Sequence, residues 1–124
     1  VLSRGVDVKR VFEKTGPISA GVLWDVKHPL MKGEAVGETI EHIGDLVYHV
    51  HIKDWLTVPG LDQERLLLVG AGELPLAAIL EHLEDINYKG YLSLEWEKLW
   101  HPDIEDSYIA IYQYAEKMKA LIKV

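Results

Sequence analysis

Three short segments each carry a potential metal ligand near the carboxyl end. They are 21–26 (GVLWDV) with Asp25, 46–52 (LVYHVHI) with His51, and 91–96 (YLSLEW) with Glu95. If they are strands, side chains alternate between faces with period two. Gly21, Leu23 and Asp25 then oppose Val22, Trp24 and Val26. Val47, His49, His51 and Lys53 oppose Leu46, Tyr48, Val50 and Ile52, and Tyr91, Ser93, Glu95 and Glu97 oppose Leu92, Leu94 and Trp96. In each segment the polar residue stands near the carboxyl end, opposite an apolar face. An aspartate, an imidazole and a glutamate converging at strand ends make a divalent-metal constellation, which points to an enzyme.

Taken singly, each element has a plainer reading. Asp25 and His28 form a D-x-x-H pair, in which the aspartate could simply cap a turn. His49 and His51 could be hydrogen-bonded core histidines. Lys53 on the same face shifts that balance, because an ammonium beside two imidazoles suits an anionic substrate group. Asp54 follows and could orient Lys53 or a histidine. Glu95, between Leu94 and Trp96, needs a partner if buried, and a lysine salt bridge would serve. Gly70-x-Gly72 reads as an ordinary turn or, less expectedly, as a backbone nest for a phosphate or hydroxyl. Trp55 and Trp100 follow strand ends and could wall a pocket, although core or surface packing is the plainer reading for both, and Trp24 and Trp96 read as strand–helix packing.

The elements that must position these residues alternate. Val8, Val11 and Phe12 predict a helix over 7–14, stopped by Gly16-Pro17. Val36, Ile40 and Ile43 predict a second over 33–43, with Gly44 as its stop. Leu76, Ile79, Leu80, Leu83 and Ile86 mark a third. Tyr108, Ile111, Ala115, Met118 and Ile122 mark a core stripe on the last. Residues 54–73 form the longest irregular stretch, within which 65–69 could be a short strand. Helix–strand–helix–strand–helix–strand–helix order predicts parallel strands with right-handed crossovers, and the site at their carboxyl ends.

The bulk composition narrows the partners. The 124 residues are of single-domain size, 48% hydrophobic, with a formal net charge of −7. That charge argues against non-specific binding to nucleic acid or anionic membrane. There is no cysteine, which excludes a disulfide framework or thiolate metal site and fits a reducing, cytoplasmic setting. No apolar run reaches membrane-spanning length.

Four stretches together resemble a known family: Asp25-Val26-Lys27-His28, His49-Val50-His51-Ile52-Lys53-Asp54, Gly70-Ala71-Gly72-Glu73 and Leu94-Glu95-Trp96-Glu97. They are similar to the carboxyl-terminal part of the xylose isomerase-like TIM barrels, the sugar phosphate isomerases and epimerases grouped with family 2 AP endonucleases. The resemblance runs over about 22–121. It implies an α/β fold, a partial (β/α)8 TIM barrel made of carboxyl-terminal βα units with parallel strands.

The resemblance also implies a divalent metal (Mn, Mg, Co or Zn) held by Asp25, His51 and Glu95. Glu95 and His28 would be catalytic, and His28, Lys53 and Trp55 would contact a small sugar or sugar phosphate. The implied chemistry is proton transfer next to a carbonyl through a metal-stabilised enediolate, giving an isomerase or epimerase.

A further glutamate, which the family takes from an earlier strand, has no counterpart here. A whole barrel takes about 250 residues, so the expectation is a homo-oligomer or a missing amino-terminal half. One alternative is a non-catalytic half-barrel that needs those strands. A less favoured one is a metal-dependent nuclease of the same superfamily, which would need more His and Asp ligands and a basic surface.

Overall fold

A computed structural model describes residues 2–16, 19–60 and 64–122. In chain order the elements are α1 (Gly5–Thr15), β1 (Val22–Asp25), α2 (Lys27–Met31), α3 (Val36–Ile43), a 3₁₀ turn (Gly44–Leu46), β2 (Val47–Ile52), β3 (Asp54–Thr57), β4 (Glu64–Leu67), α4 (Leu76–Asp85), β5 (Leu92–Leu94) and α5 (Ser107–Leu121). The three expected strands form one sheet in the order β1-β2-β5, and β3 and β4 form a separate antiparallel pair. β1 and β2 are parallel, with Leu23 opposite His49, Trp24 opposite Val50 and Asp25 opposite His51. The Val50 amide donates to the Tyr91 carbonyl and the Glu95 amide to that of Ile52. These bonds advance along both strands together, as parallel pairing requires.

The chain divides into two compact units. The first comprises Val1–His51 and Pro75–Ser93. Its core holds Val22, Trp24 and Val26 from β1 and the residue after it, Val50 from β2, Val36, Ile40 and Ile43 from α3, and Leu76, Ile79 and Leu83 from α4. The period-two reading is therefore realised in β1, where Leu23 on the opposite face is exposed. Helix α1 packs on α3, and α3 packs on α2 and α4. A buried glutamate joins two of these helices. Glu34 accepts from the Gly5 amide at 2.6 Å, the Val6 amide at 3.3 Å and the Thr39 hydroxyl at 2.8 Å. It thereby supplies acceptors for first-turn N–H groups of α1 that have no partner within the helix. The helix ends at Thr15, and Gly16 takes φ +68, a left-handed conformation suited to glycine. Pro17, the other half of the expected stop, lies outside the described residues.

The second unit comprises Ile52–Leu74 and Leu94–Val124. Ile52, Trp55, Leu66, Val69, Leu74, Ile104, Ala110 and Met118 are its buried apolar residues. Two expectations are corrected here. Residues 54–57 and 64–67, expected as irregular chain with one short strand, pair as a hairpin with Asp54 opposite Leu67 and Thr57 opposite Glu64. The stripe expected to bury α5 is only partly realised: of its members Met118 is buried, Tyr108, Ile111 and Ile122 are exposed, and Ala110, outside the stripe, is buried. Apolar residues stand on both sides of this helix, so periodicity alone did not select the buried face.

Candidate functional site: the strand ends

In the first unit, Asp25 ends β1 and is the register partner of His51, the next-to-last residue of β2, and the Val26 amide donates to the His51 carbonyl at 3.3 Å. One Asp25 oxygen accepts from the amide of Lys27, the first residue of α2, at 3.1 Å. The other lies 3.1 Å from His28 Nε2. The five residues of α2 bring His28 back over Asp25, and its ring remains largely solvent-exposed. His49 Nε2 is 2.9 Å from Ser93 Oγ, and its ring meets that of His51 edge-on at 5.3 Å. Ser93 was not picked out beforehand, although its period-two relation to Glu95 already placed it on the polar face. A hollow of about 710 Å³ lies beside the amino end of β1, lined by Gly21, Leu23, Tyr48 and His49 among others. Neither Asp25 nor His51 lines it.

In the second unit the chain changes partners immediately after β2. Lys53 is only 4% exposed. Its ammonium lies 2.9 Å from Glu95 and 3.1 Å from Glu97. The lysine salt bridge expected for Glu95 is thus made by Lys53 itself, the residue read as a substrate contact. Glu97 also lies 3.4 Å from His101 Nε2. Asp54 is 1% exposed and turns toward the backbone of the following loop, not toward Lys53 or a histidine. One carboxylate oxygen accepts from the amides of Gly70 and Gly72 at 2.8 and 2.9 Å; the other accepts from Trp55 and Leu74 at 2.8 and 2.9 Å. The amides read as a phosphate nest therefore already hold a carboxylate. Trp55 is 3% exposed, placing its ring in the core, whereas Trp100 is 76% exposed.

Among the described residues, no three His, Asp or Glu side chains stand together as a metal-holding group. The donor chemistry of Asp25, His51 and Glu95 nevertheless suits a divalent cation. Asp25 and His51 fit that role locally, because register sets them side by side on neighbouring parallel strands.

Parallel strands with chemistry-bearing carboxyl ends, alternating with helices, define part of an α/β barrel. The chain belongs to the xylose isomerase-like TIM barrel family, whose sequence profile matches residues 3–121. It is 34% identical over 90 residues to a Streptomyces coelicolor protein provisionally named a hydroxypyruvate isomerase, a match covering 73% of this chain and 29% of that relative. A crystal structure of a xylose isomerase domain protein from Planctomyces limnophilus superposes with a TM-score of 0.71 at 21% identity. That match covers 96% of this chain and 43% of the other, so the chain spans less than half of either protein.

Proposed function

We propose that this chain supplies the carboxyl-terminal strand ends of a divalent-metal-dependent isomerase or epimerase acting on a small sugar or sugar phosphate. The observation that carries the reading is the register of Asp25 with His51 at the ends of parallel strands, in a chain of this family. Asp25, His51 and Glu95 would hold the metal, which could be Mn²⁺, Mg²⁺, Co²⁺ or Zn²⁺. When bound, it would supply Lewis-acid polarisation of a carbonyl oxygen.

The chain's own residues then divide the remaining work. Glu95 moves a proton at the carbon next to the carbonyl as a general base and acid. Lys53 holds the Glu95 carboxylate in place. His28, exposed and 3.1 Å from Asp25, contacts a substrate hydroxyl. A test is Mn²⁺ titration of the chain beside Asp25→Ala and His51→Ala, with ketose turnover measured in parallel. Stoichiometric binding lost in both variants supports the assignment; equal binding in all three removes it.

A second reading has its own support. The chain spans only 29% of the relative and 43% of the structural neighbour, which favours a half-barrel that needs additional strands before it catalyses. A chain that binds metal but turns over ketoses only when those strands are supplied would select this reading. A nuclease role is disfavoured by the net charge of −7.

A further inference from the structure

Helix α5 belongs to the second unit, and its inward side is marked by three residues at helical spacing. Ala110 is buried, Gln113 Nε2 donates to the Val69 carbonyl at 2.8 Å, and Lys117 lies against Gly70. Half a turn round the helix stand Tyr108, Tyr112, Ala115 and Lys119, whose spacing places them on one face. Tyr108 is 72% and Tyr112 71% exposed, and Ile111, which borders the face, is 60% exposed. A covered aromatic side chain buries roughly 150–250 Å², so the two tyrosines leave about 300 Å² open. That reaches the size of the largest apolar patch on an ordinary monomer, about 300–600 Å².

The charge along this face matches itself on reversal. Glu105 precedes the helix at the Tyr108 end, and its carbonyl accepts from Trp96 Nε1 at 3.0 Å, which fixes the chain there. Lys119 stands at the other end. Glu105 and Lys119 lie seven residues before and after Tyr112. The 2.9 Å contact of Lys119 with Glu116 joins two exposed side chains. Such pairs contribute little, so the ammonium exchanges partners readily.

We propose that a second copy of this chain docks on this face, α5 against α5 in antiparallel order, about a two-fold axis at Tyr112. A two-fold contact presents the same patch from both copies. Glu105 of each copy then meets Lys119 of the other, and Tyr108 of each packs over the small side chain of Ala115 of the other. The two Tyr112 rings meet at the axis. Antiparallel order also sets the opposite ends of the two helix dipoles together. An unrelated segment would need no such reversal symmetry in the charges; a second copy does. The face is smaller than the roughly 800 Å² per partner of a standard stable interface. The dimer is therefore reversible, with a Kd on the order of 100 μM. Neither the metal nor a residue given a catalytic role enters this contact, so it stands independently of the isomerase reading.

Sedimentation equilibrium of the chain at about 10–500 μM tests it. The apparent mass is expected to rise from 14.1 kDa toward twice that value. Tyr112→Glu places two carboxylates at the axis and should leave a monomer throughout, with helix content unchanged in circular dichroism. Glu105→Lys and Lys119→Glu each make both end contacts repulsive and should weaken association by about tenfold. An equimolar mixture of these two variants regains both attractions and should associate as the native chain does. A native chain that stays monomeric overturns the proposal and leaves the face to another segment of a barrel. A dimer that Tyr112→Glu leaves intact overturns it as well. So do charge variants that associate as the native chain does, or whose mixture fails to recover.

Discussion

Replacing Asp54 by asparagine changes one atom of a buried side chain and should cost far more than a surface substitution. The carboxylate accepts four backbone hydrogen bonds, from Trp55, Gly70, Gly72 and Leu74, all between 2.8 and 2.9 Å. Asparagine keeps one acceptor oxygen and turns the other into an NH2 group. Two buried N–H groups then face a donor. A buried donor without its acceptor costs about 1–3 kcal/mol, so Asp54→Asn should lose about 4 kcal/mol after partial relaxation. That is a large fraction of the roughly 5–15 kcal/mol that holds a domain folded. Urea denaturation gives the loss as a lowered midpoint at unchanged slope. Native-state hydrogen exchange should show the amides on the affected oxygen exchanging faster. A loss below about 1 kcal/mol, with Gly70, Gly72 and Leu74 still protected, would refute the idea that this carboxylate organises the loop.

Three other outcomes are expected. Glu34→Ala removes the acceptor for Gly5, Val6 and Thr39; it should cost about 3 kcal/mol, seen as early loss of α1 in thermal circular dichroism and as fast exchange in its first turn. Lys53→Met leaves Glu95 and Glu97 facing each other without their shared cation; because both carboxylates are partly exposed, the loss should be nearer about 2–3 kcal/mol than the larger figure for fully buried pairs, and Glu97→Gln should cost less, as Glu95 still pairs Lys53. Burial pushes the Tyr114 hydroxyl up from 10.0 to about 12. The folded state therefore keeps that proton longer than the unfolded chain, and the stability it contributes below pH 10 is lost as pH rises from 10 toward 12. Tyrosinate absorbance in an alkaline titration should show a late step that Tyr114→Phe abolishes.

The strand faces were legible because period two is a local property. Alternation along β1 separates Trp24 from Asp25, and the burial follows it. The pairing of Asp25 with His51 near the carboxyl ends of β1 and β2 follows the same alternation, whereas Glu95 lies one residue beyond β5. What stayed hidden depends on residues distant in sequence. Lys53 and Glu97 are 44 residues apart, and Asp54 and Leu74 are 20 apart; spacing encodes neither partnership. Spacing therefore could not show that Lys53, read as a substrate contact, pairs with Glu95 and Glu97, or that the glycine loop, read first as an ordinary turn, wraps the Asp54 carboxylate. The hairpin was missed because its strands have four residues each, too few for alternation to stand out. The face of α5 was judged only in part, because Ile111 and Met118 stand seven residues apart on the same side of the helix, yet Ile111 is exposed and Met118 buried, a difference that only tertiary packing makes.

The hairpin also bears on how the chain reaches its fold. Thr57 pairs with Glu64 across a short connection, a closure of the kind that takes microseconds. The parallel neighbour of β2 on its other side, β5, lies beyond the hairpin and α4 in the chain. That pairing requires a much longer loop to close, which slows it. Pairing of strands 54–57 and 64–67 is thus available before the central sheet is complete. Once Asp54 is committed to β3, the chain after Ile52 can no longer extend β2, so the end of that strand is set early by a neighbouring element that folds on its own clock.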